Sequence, residues 1–280
     1  MLSTVTWRPR WWVWVGAVVV AAVVAGCGGG SRPTQAPPEI DLAEAVRATV
    51  SDGPVHYLLQ TGSMRFDGSG DFDVSRGDWH AEHNLGLVDT ARGTFVLKII
   101  MRTVDEGTFF SAGDLTDGCW TRLGGREYRD GPAVGALLDD LKPVGRSRGA
   151  AIAVDVPLES LLTALVAGAP SRESLGTAVA ASTNDGGLLV PGTVRVVDGK
   201  VTTLVVDMQV AARVAERVGF EVPDPAQDLV GSLEDLESLM TVTVSLRPSN
   251  APLELRAPLE QDRIEAGCDP GDRTLGSATP

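Results

Sequence analysis

The sequence Trp-His-Ala-Glu-His at residues 79–83 gathers two histidines and a carboxylate, which are side chains that bind zinc. His80, Glu82 and His83 could converge on one ion only in a helix or at a bulge, because side chains alternate between the two faces of a strand. The surrounding pattern is typical of a strand, which puts His83 on the face opposite to His80 and Glu82. We therefore predict no metal site here. His56, one residue from Tyr57, is expected to be a strand-surface residue.

Other patterns that carry catalysis are missing from the sequence. No serine stands in a Gly-x-Ser-x-Gly setting, and no glycine-rich phosphate loop has the lysine that it needs. The acidic groups Asp139-Asp140 and Glu234-Asp235-Glu237 have the spacing of solvated helix faces. A glycosidase-like pair of catalytic carboxylates is the alternative interpretation. We predict no catalytic residue, no cofactor and no enzymatic activity.

The first of the three cysteines, Cys27, lies near the N-terminus. Arg8 and Arg10 precede an apolar stretch, residues 11–25, that has the length of a signal-peptide core and is shorter than the ~20 residues a bilayer requires. The stretch ends Val24-Ala25-Gly26-Cys27, which resembles a bacterial lipobox. Cleavage before Cys27 would leave an N-terminus that carries an acyl anchor with chains such as palmitate; an uncleaved membrane anchor is the alternative.

Composition sets the domain organisation that we expect. Residues 1–26 form the signal peptide, residues 27–39 are a Gly/Pro-rich flexible tether, residues 40–268 fold as a single domain, and residues 269–280 form a disordered tail. Without the presequence, 22 basic residues stand against 37 acidic ones, a formal net charge of −15. Such a surface disfavours nucleic acid as a partner.

The two remaining cysteines, Cys119 and Cys268, form an even pair in a chain that we expect to be exported. A disulfide between them would close a long loop and contribute about 5 kcal/mol by the chain-entropy model. It would attach the C-terminal segment to the sheet. Two unpaired thiols are the alternative.

The pattern along residues 40–268 predicts helices and antiparallel strands rather than a βαβ alternation. A helix over 40–50 is followed by a meander in which Val55, Tyr57 and Leu59 share one face. Predicted strands cover residues 55–64, 65–75, 78–87, 92–104, 107–113 and 119–125, and later 174–183, 191–209, 240–248 and 252–258. Asp198-Gly199 marks a hairpin turn.

Helices are expected in the middle of the chain, over 131–144 and 154–170, and again over 209–220 and 226–239. The second has leucines at the i, i+3, i+4, i+7 positions of one helix face. This stripe packs in a core or walls an apolar cavity. The side chains that we predict to line such a cavity are Tyr57, Leu59, Phe95, Leu97, Ile99, Leu158, Leu161, Leu162 and Leu165.

The order of these features resembles one family. The order is a lipobox, a tether, a helix, a long meander with a Trp-bearing strand at residues 119–125, a helix from about residue 157 and a second set of strands. In this order the chain is similar to the LppX/LprG lipoproteins of actinobacteria, relatives of LolA and LolB. The resemblance implies an α+β fold: a strongly curved antiparallel half-barrel with helices over its concave face. The cysteine pair Cys119 and Cys268 is not part of the family pattern.

The function that this resemblance implies is a lipid-anchored protein on the outer face of the cell membrane. It would bind or carry a lipid or lipoglycan in an apolar cavity, with no chemical step, and an envelope transporter is a further expected partner. Low aromatic content and Val/Leu/Ala linings suit acyl chains. A ligand-free envelope module that binds a protein partner, either a transporter or a cell-wall enzyme, is the alternative.

Overall fold

A single sheet of eleven antiparallel strands organises the computed structural model. The structure describes residues 40–62, 67–90, 93–123, 133–145, 150–165, 188–217, 237–249 and 251–269, with the side chains of 85–97 and 114–115 excepted. Contacts divide the chain into residues 1–36 and residues 37–280, and every described residue belongs to the second unit. The predicted signal peptide, the whole predicted tether and nearly all of the predicted tail therefore lie outside the described residues.

The sheet consists of two meanders that meet where the first strand pairs with the last. The strands are β1 (Val55–Thr61), β2 (Asp67–Asp73), β3 (Asp78–Thr90), β4 (Gly93–Val104), β5 (Gly107–Ser111), β6 (Thr121–Leu123), β7 (Lys142–Pro143), β8 (Ala151–Pro157), β9 (Leu189–Val197), β10 (Lys200–Asp207) and β11 (Thr241–Pro248). Their order across the sheet is β6-β5-β4-β3-β2-β1-β11-β10-β9-β8-β7, and the two ends do not pair, so the sheet is not closed. The predicted α+β class with a large antiparallel sheet is confirmed.

Four α-helices are present in the described part of the chain: α1 (Leu42–Ser51), α2 (Ala133–Asp139), α3 (Leu158–Leu165) and α4 (Met208–Arg217). Their buried residues join one apolar cluster with the inward side chains of the strands, and we call that side of the sheet the inner face. Helix α1 is attached to it by a polar contact as well. Thr49 Oγ1 donates to the Ala45 carbonyl within the helix and accepts from the Val201 amide of β10 at 2.8 Å.

Two predicted elements differ in the structure. Residues 154–157, expected to open a helix, belong to β8, because Ile152, Val154 and Val156 alternate with exposed or half-buried residues and pair with β9. Helix α3 therefore begins only after Pro157. The predicted strand over 252–258 is irregular.

Other predictions have mixed outcomes. The Asp198-Gly199 hairpin is confirmed, with both residues at positive φ. Helix α4 buries Met208 and three alanines, while Val210 and Val214 are only half-buried. The predicted strand at 174–183 and most of the predicted helix at 226–239 lie outside the described residues.

The opposite side of the sheet, the outer face, is covered at the β4–β6 end by residues 251–269. The predicted disulfide is confirmed: Cys119, just before β6, is bonded to Cys268, with 5.9 Å between the Cα atoms. Beside it the Trp120 amide donates to the Asp262 carbonyl at 2.8 Å, and the Arg263 guanidinium lies 4.8 Å from the centre of the Phe109 ring. Phe109 is fully buried as a result. This segment thus gives the end of the sheet a second packed side.

Removal of this cross-link tests its contribution. We expect the Cys119→Ala/Cys268→Ala chain to lose about 2–5 kcal/mol of unfolding free energy in urea, because the unfolded chain regains the freedom that the bridge removed. Thiol titration of the unreduced protein should find no reactive thiol at these two positions. Equal stability of the variant and the parent, or two titrating thiols, would contradict the assignment.

Candidate functional site

A buried tyrosine and a buried histidine meet over the inner face. Tyr57 lies on β1 and His83 on β3, the two strands that flank β2. In the register, Tyr57 is opposite Gly70 and His83 is opposite Gly68. The Tyr57 hydroxyl and His83 Nε2 are 3.0 Å apart, so the two side chains form a hydrogen bond across the intervening strand.

The two glycines of β2 make this contact sterically possible. A Cβ atom at Gly68 would lie 2.6 Å from the His83 ring, and one at Gly70 would lie 2.6 Å from the Tyr57 ring and 2.1 Å from the His80 carbonyl. All three distances are shorter than a van der Waals contact. Because Gly68 and Gly70 have no side chains, the two rings pack directly against the backbone of β2 on the inner face.

The second nitrogen of His83 bonds to helix α3. His83 Nδ1 lies 2.7 Å from the Leu165 carbonyl oxygen. A carbonyl can only accept, so Nδ1 carries the proton, Nε2 has the lone pair, and the Tyr57 hydroxyl donates to it. Leu165 is the last described residue of α3, and its carbonyl accepts this bond from His83. Tyr57, His83 and Leu165 thus form one chain of hydrogen bonds, which we call the Tyr57–His83–Leu165 chain.

Burial sets the charge state of both side chains. It lowers the pKa of His83 to about 4, against the opposing effects of the bond to Leu165 and of Asp67. Burial, with a smaller effect of Asp71, raises the pKa of Tyr57 above its ordinary value. Both groups are therefore neutral near pH 7. The arrangement is suited to hydrogen bonding rather than to holding a charge.

The residues of the Trp-His-Ala-Glu-His sequence do not converge. His83 is on the inner face, while Glu82 forms an ion pair with Lys98 at 2.5 Å on the outer face. His80 is also on the outer face, where burial and then Arg102 lower its pKa. Within the described residues, no group of three His, Cys, Asp or Glu side chains could hold a metal ion.

The side chains predicted to line a cavity are packed in the core. Seven of them are described and buried in the same cluster: Tyr57, Leu59, Ile99, Leu158, Leu161, Leu162 and Leu165. Phe95 and Leu97 lie in β4, but their side chains are outside the described part. Leu59, Leu158 and Leu161 have no water-accessible surface. No space of the size of a water molecule therefore adjoins these three leucines in this arrangement.

An open pocket lies elsewhere, between α1 and α2. Its volume is about 310 Å³, at the lower limit for small-molecule pockets. Leu42, Val46, Leu138 and Leu141 supply much of its apolar wall, with Arg47 and Asp139 also in the lining. Burial, and then Asp140, raises the pKa of Asp139. None of the predicted cavity side chains lines this pocket.

Sequence reasoning missed the partnership of Tyr57 and His83. It placed each of them on a strand and put His83 on the face opposite to Glu82, but it did not connect them across β2. One signal was available. Gly68 and Gly70 sit two residues apart, on the same face of a predicted strand, between the strands that carry the two rings.

The pH dependence of stability tests the neutral, buried state of His83. Its pKa is lower in the folded chain than the ordinary 6.5, so the unfolded chain takes up more protons as the pH falls below about 6.5. The contribution of His83 is complete above that pH and is lost progressively down to about pH 4. Between pH 7.5 and 4.5 we expect the parent to lose about 2–3 kcal/mol more than His83→Gln in urea unfolding.

The matched control is His56→Gln, because the His56 side chain is 45% exposed and pairs with Asp71 at the surface. This variant keeps His83 and should therefore still show the loss of stability that His83 causes at low pH. An equal loss of stability in the parent and in His83→Gln would show that His83 is not held neutral by burial.

Comparisons with known proteins returned no relative: no family model, curated protein or solved structure matches this chain. Among the described residues, no helix has the length and apolar character to cross a membrane.

Proposed function

We propose that the protein is a lipoprotein anchored through Cys27 to the outer face of the cell membrane, and that it holds a lipid or lipoglycan against the inner face of its sheet without a chemical step. The observation that carries this proposal is the position of α3. This helix starts at one part of the sheet and ends in contact with another part that lies six strands away.

The span of α3 supports a strongly curved sheet. The helix follows β8 directly, and its Leu158 amide donates to the Leu188 carbonyl beside β9 at 2.8 Å. Its last turn bonds to His83 on β3. Six strand spacings separate β8 from β3, which is about 28 Å in a flat sheet, whereas the helix rises only about 10 Å from Leu158 to Leu165. The inner face is therefore concave, with α3 across it.

This geometry agrees with the half-barrel that the resemblance to LppX/LprG and LolA-like proteins implies. The concave face is aliphatic over much of its area: Val190, Val194, Leu204, Val206, Val242 and Val244 have almost no exposed surface. Each methylene of an acyl chain buried there contributes about 0.8 kcal/mol. A surface of branched aliphatic side chains suits acyl chains better than it suits polar ligands.

Loading requires movement of the helix. Leu158 and Leu161 of α3 have no accessible surface, so an acyl chain reaches the concave face only when α3 lifts from it. The arrangement described is then a closed one, in which α3 covers the face. Helix α3 has only eight residues, from Leu158 to Leu165, and we therefore assign the movement to it.

The anchor places this face near lipid. Cys27 and the tether comprise 13 residues before residue 40, which span at most about 45 Å when fully extended. Helix α1 begins two residues later, so the anchor would hold the start of the folded domain within about that distance of the bilayer surface. A lipid leaving the membrane has only a short path to the concave face.

The closed packing also favours the alternative, a ligand-free module that binds an envelope transporter or a cell-wall enzyme. A row of uncharged side chains on the outer face would suit such a partner. Thr193, Val205 and Thr243 are paired across β9, β10 and β11, and none of them is buried. The two functions therefore use opposite faces of the sheet.

Native mass spectrometry separates the two. We expect the full chain with Cys27→Ser, purified from a lipid-producing bacterial host, to carry about one lipid per protein, because the concave face buries acyl chains. The outer-face variant Val205→Asp should carry the same lipid in the same amount.

A chain that is lipid-free in every preparation would contradict the proposal. Loss of lipid in Val205→Asp would place the lipid on the outer face, which also contradicts it.

A further inference from the structure

The bond between His83 and Leu165 is the polar contact that must break when α3 lifts. His83 Nδ1 donates to the Leu165 carbonyl at 2.7 Å, and the register neighbours of His83 on the inner face, Ile99 and, across Gly68, Leu59, are buried apolar side chains. Once α3 moves, this N–H has no acceptor, and an unpaired buried donor is costly. A ligand that brings its own acceptor to the same position removes that cost.

Tyr57 determines what kind of ligand can do so. Its hydroxyl donates to His83 Nε2, which keeps the proton on Nδ1. The imidazole therefore presents only a donor towards α3. A carbonyl or carboxylate oxygen can accept from it, whereas an ammonium group, which has no lone pair to offer, cannot.

We propose that His83 Nδ1–H is the polar subsite for the carbonyl or carboxylate oxygen of an acyl lipid, which takes the place of the Leu165 carbonyl when α3 lifts. The alkyl chain then lies on the apolar surface of the neighbouring strands, where α3 packed before. Tyr57 acts through His83 as a positioning residue. This inference rests on the proposed function, because it concerns the same concave face.

The inference predicts selectivity among ligands with the same alkyl chain. Palmitic acid offers a carboxylate and methyl palmitate an ester carbonyl, whereas hexadecyltrimethylammonium has a chain of the same length and no acceptor. The exposed carboxylate of Asp67 acts on His83, so the free acid meets some repulsion that the ester does not. Comparison of the acid and the ester thus distinguishes free fatty acids from esterified lipids as the source of the oxygen.

Displacement of Nile red from the full chain with Cys27→Ser measures this selectivity. We expect at least one of the two acceptor ligands to bind roughly tenfold or more tightly than the ammonium ligand, the effect of one hydrogen bond from a buried donor. In His83→Phe this ratio should fall to about one. His83→Gln, which retains an N–H donor, should keep much of the preference.

The ratio of affinities, rather than either affinity alone, is the readout, since a looser α3 changes the binding of all three ligands together. Thr108→Val is the matched control: it removes another buried hydrogen bond, to Thr103 at 2.9 Å, and should leave the ratio unchanged. Tyr57→Phe releases the constraint on the His83 proton and should lower the ratio, and it replaces His83→Phe if that variant does not fold.

A preference that survives in His83→Phe or, where that variant does not fold, in Tyr57→Phe would overturn the inference and leave the proposed function intact. Equal affinities for acceptor and ammonium ligands in the parent would do the same. If none of the three ligands displaces Nile red from the parent, both the inference and the proposed function are wrong.

Discussion

The Tyr57–His83–Leu165 chain joins parts of the protein that are distant in sequence and in the sheet. It links β1 and β3 of the first meander to α3, which continues directly from β8 of the second. A fully satisfied buried polar network specifies one geometry, because any other arrangement leaves a donor or an acceptor unpaired. The aliphatic core tolerates many packings of similar free energy, whereas this network fixes the position of Leu165 of α3 against β3. The curvature that we infer for the sheet depends on that one attachment.

The two faces of the sheet are stabilised by different means. The inner face is covered by helices with aliphatic contacts, and the outer face near β4–β6 by the segment that the Cys119–Cys268 disulfide holds. A covalent bridge and the cation–π contact of Arg263 with Phe109 attach the outer cover to the sheet. Apart from its direct continuation from β8, the inner cover, α3, is held among the described residues by noncovalent contacts. This difference is consistent with a protein whose inner face opens while the rest stays fixed.

Much of the architecture was predictable from the sequence because its signals are local. The alternation of Val55, Tyr57 and Leu59, the Asp198-Gly199 turn and the pairing of Cys119 with Cys268 each follow from neighbouring residues or from composition. The start of α3 was misplaced because Val154 and Val156 fit both a strand and the first turn of a helix. The site itself depends on the register of three strands. Nothing in the local pattern states that Gly68 lies opposite His83, or that His83 faces Leu165, 82 residues further along the chain.

The central claim, that His83 is neutral, buried and bonded through Nδ1 to the end of α3, is tested most directly by long-range ¹H–¹⁵N NMR of the imidazole rings. We expect His83 to show a protonated Nδ1 and an unprotonated Nε2 near neutral pH, with an Nδ1–H proton that exchanges slowly with solvent. The half-exposed His56 should exchange fast. A His83 ring with its proton on Nε2, or one that exchanges as fast as His56, would contradict the attachment of α3 to β3.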